Sequence, residues 1–115
     1  MCWPECDTYC MSLAGKKLGL LLSAPPDQPN FEHAIALASA AVKQGVLVYF
    51  YCIDDSVAGL DHPKLQQLKA EGINLFACAY GAQKRNLSLG DLATFAGLST
   101  VNDLIANTDR FVSFN

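Results

Sequence analysis

Short apolar runs along the chain alternate with segments in which apolar residues recur at helical spacing. The runs 17–23 and 46–52 are almost continuously apolar, which is typical of strands covered on both faces of a sheet. Between them, apolar residues from Phe31 to Val42 recur every three or four positions and predict an amphipathic helix. A second helix is predicted over 62–71, before a third apolar run that ends at Cys78.

The chain after Cys78 carries weaker signals. No element is predicted for residues 79–87. The sequence Ser-Leu-Gly-Asp at 88–91 resembles a capping box with Asp at its last position, and it predicts a helix that continues to Ala96. The remaining predictions are a short strand over 98–100, a short helix through Ile105 and a last strand over 110–114.

Together these elements have the order βαβαβαβαβ. Strands that alternate with helices predict a mainly parallel sheet with helices on both of its faces. We therefore predict an α/β fold, with three α/β/α layers around a five-stranded, mainly parallel sheet. The regular pattern begins at Lys16, so residues 1–15 are predicted to form a cysteine-rich N-terminal extension and residues 16–115 a single domain.

Composition narrows the classes of function. The 115 residues carry a formal net charge of −3 and no basic stripe, so nucleic acid is not an expected partner. No apolar run approaches the roughly 18 residues of a membrane span. No signal-peptide pattern follows Met1, and the cytoplasm is the expected location. The loop 23–30 has no glycine, which argues against a Walker or dinucleotide-binding loop, and no cofactor is predicted.

Three of the five cysteines share a spacing of four residues within the N-terminal extension. Cys2, Cys6 and Cys10 would lie on one face of a helix, and three thiolates can hold zinc or an iron–sulfur cluster. Because the C-x2-C spacing of common structural zinc sites is absent, an oxidisable tail without metal is the favoured alternative. An odd number of cysteines without an export signal argues against a secreted disulfide framework.

Cys78 occupies the position that most suggests chemistry. It ends a predicted buried strand and precedes a loop with two adjacent cations, Lys84 and Arg85. α/β sheets place their reactive groups beyond the carboxyl ends of strands, and a neighbouring Lys or Arg lowers the pKa of a thiol. The alternative interpretation is a small buried hydrophobe that closes the strand.

Other candidate groups favour structural roles. His33 and His62 lie near the starts of the two predicted helices, where a solvated helix-end residue is favoured over a base paired with the thiol. Asp54 and Asp55 follow the second strand at the same edge of the sheet. They form either a carboxylate pair or ordinary turn residues, and the turn is favoured.

Residues 16–115 resemble the DsrE/DsrF-like family of sulfur-relay proteins, and several features match in order. Cys78 falls at the family's sulfur-carrying cysteine, and Arg85 lies where many members carry a basic residue. The other matching features are the opening strand 17–22, the Ala-rich first helix, an aromatic strand leading to Asp54 and Val57, an L-x-x-L-x-x-x-G pattern over 65–72, and the closing segment 104–114.

The resemblance implies a five-stranded parallel sheet, assembly into trimers or hexamers, and a role in moving sulfane sulfur between donor and acceptor proteins. Cys78 would carry the sulfur as a persulfide in a possible sulfurtransferase, with Lys84, Arg85 and Asp54 as supporting residues. One alternative is a non-catalytic oligomeric subunit or interaction module of the same fold, with Cys78 buried and inert. Another is metal or iron–sulfur binding through the cysteines of the extension.

Overall fold

The computed structural model describes residues 14–85 and 90–115, in which strands and helices alternate. The strands are β1 (Lys17–Leu22), β2 (Leu47–Cys52), β3 (Asn74–Cys78), β4 (Thr94–Ala96) and β5 (Arg110–Phe114). The helices are α1 (Pro29–Lys43), α2 (Pro63–Ala70), α3 (Ala79–Lys84) and α4 (Ser99–Asn107), and a 3₁₀ helix at Asp54–Gly59 follows β2.

The five strands form one parallel sheet in the order β4-β3-β2-β1-β5. All strands therefore end at the same side of the sheet, which we call the carboxyl edge. β3 lies between β2 and β4, so Cys78 ends an interior strand. The predicted α/β fold with a five-stranded parallel sheet is confirmed.

One face of the sheet is sealed by α1 and α2. Phe31 and Ile35 of α1 and Leu65 of α2 are buried against Leu20 and Phe50 of the central strands. Burying side chains of this size contributes roughly 1.5–3 kcal/mol each. The apolar stripe read from the sequence of α1 is thus the stripe that faces the sheet, and this face holds most of the core.

The opposite face has a thinner cover. Here α4 packs against β1 and β5, and Leu104 is the buried residue that it contributes. Leu104 lies in one apolar cluster with Tyr51 and Cys78, and the half-buried residues packed around them are Leu21, Tyr49, Ile53, Phe76, Ala96, Val101 and Phe111. Cys78 therefore lies at the carboxyl edge on the less protected face.

Two local predictions for the chain after β3 are wrong, whereas the last helix through Ile105 and the last strand over 110–114 are confirmed. The stretch up to Ala96 was expected to be helical, but it contains β4, and the strand expected over 98–100 is replaced by the start of α4. β4 pairs with β3 through the partners Phe76 and Thr94, so bonds to a neighbouring strand override the local helical pattern. Residues 79–84, for which no element was predicted, form α3.

Part of the N-terminal extension lies outside the described residues. The proposed metal ligands Cys2, Cys6 and Cys10 belong to this part, so that hypothesis and the boundary at residue 15 stay predictions. The described chain begins beside α1 and β2, where the amide of Gly15 donates to the carbonyl of Gly45 over 3.0 Å. Within the described ranges, no helix is both long and apolar enough to cross a bilayer.

Candidate functional site

Cys78 joins the end of β3 directly to the start of α3. Its backbone is still extended, and its side chain caps the helix, since Sγ accepts a hydrogen bond from the amide of Gly81 at 3.4 Å. The residue is 7% exposed. An amide that points at sulfur favours negative charge on that atom, so the local backbone already supplies one donor for a thiolate.

Gly81 leaves space beside the thiol. A Cβ at Gly81 would lie 3.6 Å from Cβ of Cys78, 3.8 Å from Nη1 of Arg85 and 3.4 Å from Cγ2 of Val57. The Cys78 side chain and the Arg85 guanidinium therefore both border the space that a side chain at position 81 would occupy. Gly81 does not have a positive φ, so the missing side chain alone leaves this space open.

Tyr51 lies on the same face of the sheet as Cys78. It pairs in register with Phe76, two residues before the cysteine, and side chains two apart share a face. The Tyr51 side chain is fully buried, and its hydroxyl donates to the carbonyl oxygens of Ala96 and Gly97 at 2.9 and 3.1 Å. Ala96 in β4 is the register partner of Cys78 in β3. The Tyr51 hydroxyl therefore lies at the same level along the sheet as Cys78.

The environment of Tyr51 opposes its ionisation. Burial raises the pKa of Tyr51 to about 12, and the neighbouring Cys78 adds to the rise through the negative charge that its thiolate carries. The tyrosine therefore keeps its proton over the physiological range. It is a permanent hydroxyl donor beside the thiol.

An ion pair lies at the carboxyl edge of the sheet, next to the site. Nη2 of Arg85 donates to Oδ1 of Asp55 at 2.9 Å, and Nη1 of the same guanidinium donates to the carbonyl of Gly81 at 3.3 Å. The pair links the end of α3 to the 3₁₀ helix after β2. Of the predicted supporting residues, Arg85 thus borders the space next to Gly81 that Cys78 also borders, whereas Lys84 is exposed at the end of α3.

Asp54 occupies the start of the 3₁₀ helix, with a φ of 53° and an exposed side chain. Asp and Asn adopt this left-handed backbone more readily than most residues, which fits the turn interpretation. The carboxylate that meets Arg85 belongs to its neighbour Asp55. Sequence reasoning had no signal that distinguished the two adjacent acids.

Cys52 provides an internal comparison for Cys78. It also ends a strand at the carboxyl edge, but it is completely buried on the sealed face. Burial raises the pKa of the Cys52 thiol to about 12, against a smaller lowering from a hydrogen bond with Ser56. Two cysteines at equivalent strand ends thus have different environments, and only Cys78 combines a little exposure with a donor on its sulfur.

The histidines lie away from this site. Nδ1 of His62 caps α2 by accepting from the amide of Lys64 at 3.2 Å, and Nε2 bonds Glu32 at 2.9 Å. His33 bonds Asn30 within the first turn of α1. Both are helix-end residues, as the sequence predicted. Within residues 14–85 and 90–115, no three His, Cys, Asp or Glu side chains converge as a metal site.

A groove of about 520 Å³ lies at the opposite end of the sheet. The apolar residues Leu18, Leu37 and Val46 and the cations Lys17 and Arg110 are among the residues that line it. These residues belong to the amino ends of β1, β2 and β5 and to α1, so the groove is separated from Cys78 by the length of the strands. Cys78 does not line this groove, so the groove is not part of the candidate reactive site.

Sequence reasoning missed Tyr51. The residue reads as one of several apolar positions in an aromatic strand, and the alternation of Tyr49 and Tyr51 shows only that the two share a face. Its relation to Cys78 depends on which strands become neighbours. No local pattern carries that information.

Comparisons with known proteins agree with this architecture. The DsrE/DsrF-like family matches residues 16–114. Among solved structures, the crystal structure of the ychN protein from E. coli superposes with a TM-score of 0.75 at 16% sequence identity, covering 86% of this chain and 99% of that one. At this identity the superposition shows the fold alone. No curated protein matches the chain.

Proposed function

This chain belongs to the DsrE/DsrF-like family, and from the setting of Cys78 we propose that it relays sulfane sulfur as a persulfide on that residue. The observation that carries the proposal is the bond from the Gly81 amide to Sγ, on a thiol that is slightly exposed at the carboxyl edge. Sulfur donor and acceptor proteins are the proposed partners. The free thiols Cys52 and Cys78 fit a reducing compartment such as the cytoplasm.

The proposed reaction is a pair of thiol exchanges. The Cys78 thiolate attacks the outer sulfur of a donor persulfide; the new bond joins the two sulfurs, the donor's sulfur–sulfur bond breaks, and the donor leaves as a thiolate. An acceptor thiolate then attacks the terminal sulfur of Cys78-S-SH, and Cys78 leaves with the electron pair. Each step exchanges one sulfur–sulfur bond for another, so no external oxidant is required.

Three groups support the anionic sulfur in this proposal. The Gly81 amide donates to it directly, and the Arg85 guanidinium lies close enough to lower the cost of negative charge. Lys84 adds a second, solvated cation from the same helix. Asp54 stays a predicted member of the carboxyl edge, and Asp55 controls how strongly Arg85 is neutralised.

We also propose that copies of the chain assemble, as trimers or hexamers, through the thinly covered face. The half-buried residues Leu21, Phe76 and Phe111 line that face, and Leu98 and Ile105 of the α4 region are 62% and 52% exposed. Contiguous exposed apolar patches mark association sites, and we propose that these side chains form one. Tyr80 is 70% exposed two residues after Cys78, and we propose it as a contact for the donor or acceptor.

The decisive experiment loads the protein with a small-molecule persulfide and measures its intact mass before and after mild reduction. The parent is the full chain that carries Cys2→Ser, Cys6→Ser and Cys10→Ser, so that the two cysteines Cys52 and Cys78 remain. We expect the parent and its Cys52→Ala variant to gain one reducible sulfur, and Cys78→Ser to gain none.

An equal gain in the Cys78→Ser variant would contradict the relay. A parent that takes up no sulfur, with native Cys78 alkylated as slowly as Cys52, would instead favour a non-catalytic subunit of the same fold. In that case the small exposure of the Cys78 side chain is insufficient for attack on a donor.

A further inference from the structure

We propose that Tyr51 is a switchable hydrogen-bond donor for the sulfur of Cys78. Its hydroxyl proton is directed to the carbonyls of Ala96 and Gly97 while Cys78 is a neutral thiol, and it turns to the sulfur when that sulfur is an anion. The inference rests on the proposed function in naming the persulfide as one of those anions. The hydrogen bond itself is a property of the free protein.

Sheet register places the two groups together. Tyr51 and Phe76 are partners in β2 and β3, and Cys78 and Ala96 are partners in β3 and β4. The Tyr51 side chain crosses β3 on the face that carries Cys78 and ends at the Ala96 carbonyl. Tyr51 and Cys78 are members of the same packed cluster.

A hydroxyl has one proton and two lone pairs, and its proton rotates to suit its surroundings. The Tyr51 hydroxyl donates to two carbonyl oxygens, and the Cys78 sulfur, which packs in the same cluster, is the third acceptor in this proposal. With a neutral thiol, the carbonyls are the better acceptors, because sulfur in a thiol accepts weakly. With a thiolate or persulfide anion, sulfur becomes the strongest acceptor, because hydrogen bonds to ionised groups are roughly twice as strong.

Burial makes a second donor valuable at this position. Tyr51 is fully buried and Cys78 nearly so, which limits how much water can reach an anionic sulfur. The Gly81 amide is one donor, and Tyr51 adds another from the sheet side. The raised pKa of Tyr51 means that it stays protonated, so it never competes with the sulfur as a second anion.

The other groups around the sulfur are few within the described part of the chain. Arg85 of α3 faces the same space and is paired with Asp55 of the 3₁₀ helix, and Lys84 lies in solvent. From α4 the neighbours are the apolar side chains of Val101 and Leu104. Tyr51 is therefore the titratable group that β2 brings to the sulfur.

The test compares Tyr51→Phe with the matched control Tyr49→Phe. Tyr49 lies on the same strand and face, is half-buried, and no hydrogen bond of its hydroxyl is seen within the described residues. In the full chain that carries Cys2→Ser, Cys6→Ser and Cys10→Ser, the rate of Cys78 alkylation is measured across pH. We expect Tyr51→Phe to move the midpoint of the profile upward by on the order of one pH unit, and Tyr49→Phe to leave it in place.

A second variant covers the case in which Tyr51→Phe does not fold, since that substitution removes one hydrogen-bond donor from the Ala96 carbonyl and one from the Gly97 carbonyl, and the latter still accepts from the amide of Thr100. A difluorinated tyrosine at position 51 keeps the ring and its bonds but donates more strongly, so the midpoint is expected to move downward. A midpoint that matches the Tyr49→Phe control, or that moves opposite to these directions, overturns the inference.

The experiments distinguish a failure of the Tyr51 inference from a failure of the proposed sulfur relay. Alkylation requires no sulfur donor, so the pH profile reports on Tyr51 alone, whereas loss of sulfur loading in Cys78→Ser reports on the relay alone. If both proposals hold, Tyr51→Phe also shortens the lifetime of the loaded persulfide, because its anionic sulfur has lost a donor.

Discussion

Arg85 and Asp55 form an ion pair in which Nη2 donates to Oδ1 at 2.9 Å. The pair joins the end of α3 to the 3₁₀ helix after β2, and its guanidinium faces the space beside Cys78. The carboxylate partly neutralises the cation that a thiolate would use. The cation next to Cys78 is therefore paired with a carboxylate that lies 23 positions before the cysteine in the chain.

The Asp55→Asn substitution is expected to raise the rate of Cys78 alkylation at neutral pH by about threefold, because the charge of Arg85 is no longer neutralised by a carboxylate. The free energy of unfolding should change by less than about 1 kcal/mol, since the pair is half exposed. Asp54→Asn is the matched control, because Asn tolerates the positive φ at that position. Equal rates in the two variants would show that Arg85 does not act on the thiol.

The Gly81→Ala substitution is expected to increase the stability of the fold while it reduces the access of bulky reagents to the Cys78 thiol. The added Cβ makes ordinary contacts of 3.4 Å or more, so the fold is kept and the helix gains about 0.5–1 kcal/mol. The same methyl group fills the space between Cys78 and Arg85. Thermal unfolding should shift upward while alkylation by a bulky maleimide slows more than alkylation by iodoacetamide; an unchanged ratio of the two rates would contradict the assignment of this space.

Gly59→Ala should destabilise the domain, in contrast to Gly81→Ala. A Cβ at Gly59 would lie 2.5 Å from Cζ of Phe31, a fully buried ring of α1. Relieving this overlap requires movement in the sealed core, at a cost of about 1–3 kcal/mol. Urea unfolding measures the loss, and Gly97→Ala, which has open space around its Cβ, is the control. Similar midpoints for the two variants would be inconsistent with the packing around Phe31.

Alkaline pH should destabilise the protein through Cys52. The pKa of its thiol rises from 9.0 to about 12 on folding, so the folded state holds the proton more tightly than the unfolded chain. This contribution is complete below pH 9.0, and it is lost as pH rises toward about 12. The pKa of Tyr51 is raised from 10.0 to about 12, so its stabilising contribution is also lost at the upper end of that pH range.

Urea unfolding at a series of pH values measures this loss. We expect Cys52→Ala to unfold more easily at neutral pH but to lose less stability between neutral pH and the alkaline range. Parallel curves for the parent and the variant would show that Cys52 is not the group that titrates.

Assembly through the thin face predicts that charge on α4 weakens association. Leu98→Lys with Ile105→Lys places two cations on exposed apolar positions without disturbing Leu104, the buried residue of this helix. Sedimentation should show a smaller assembly than for the parent, whereas Ala36→Lys on the exposed side of α1 should leave it unchanged. A monomeric parent would contradict the proposed assembly itself.

Elements with a strong period were predictable from the sequence. The stripe from Phe31 to Val42 and the apolar runs that became β1 and β2 carry enough local information, because one side of each must leave water whatever its neighbours are. The region around β4 was predicted wrongly. Its three residues have no period long enough to distinguish strand from helix, and pairing with β3 decides the outcome.

The position of Cys78 at the end of a buried strand, followed by Arg85, was determined by the order of residues along the chain. The contacts of that thiol were not. Tyr51 meets it because β2 and β4 flank β3, and Asp55 instead of Asp54 meets Arg85 because the 3₁₀ helix turns only one of them toward α3. Apolar spacing and chain order are local properties, whereas the neighbours of a side chain depend on how distant strands and turns pack together.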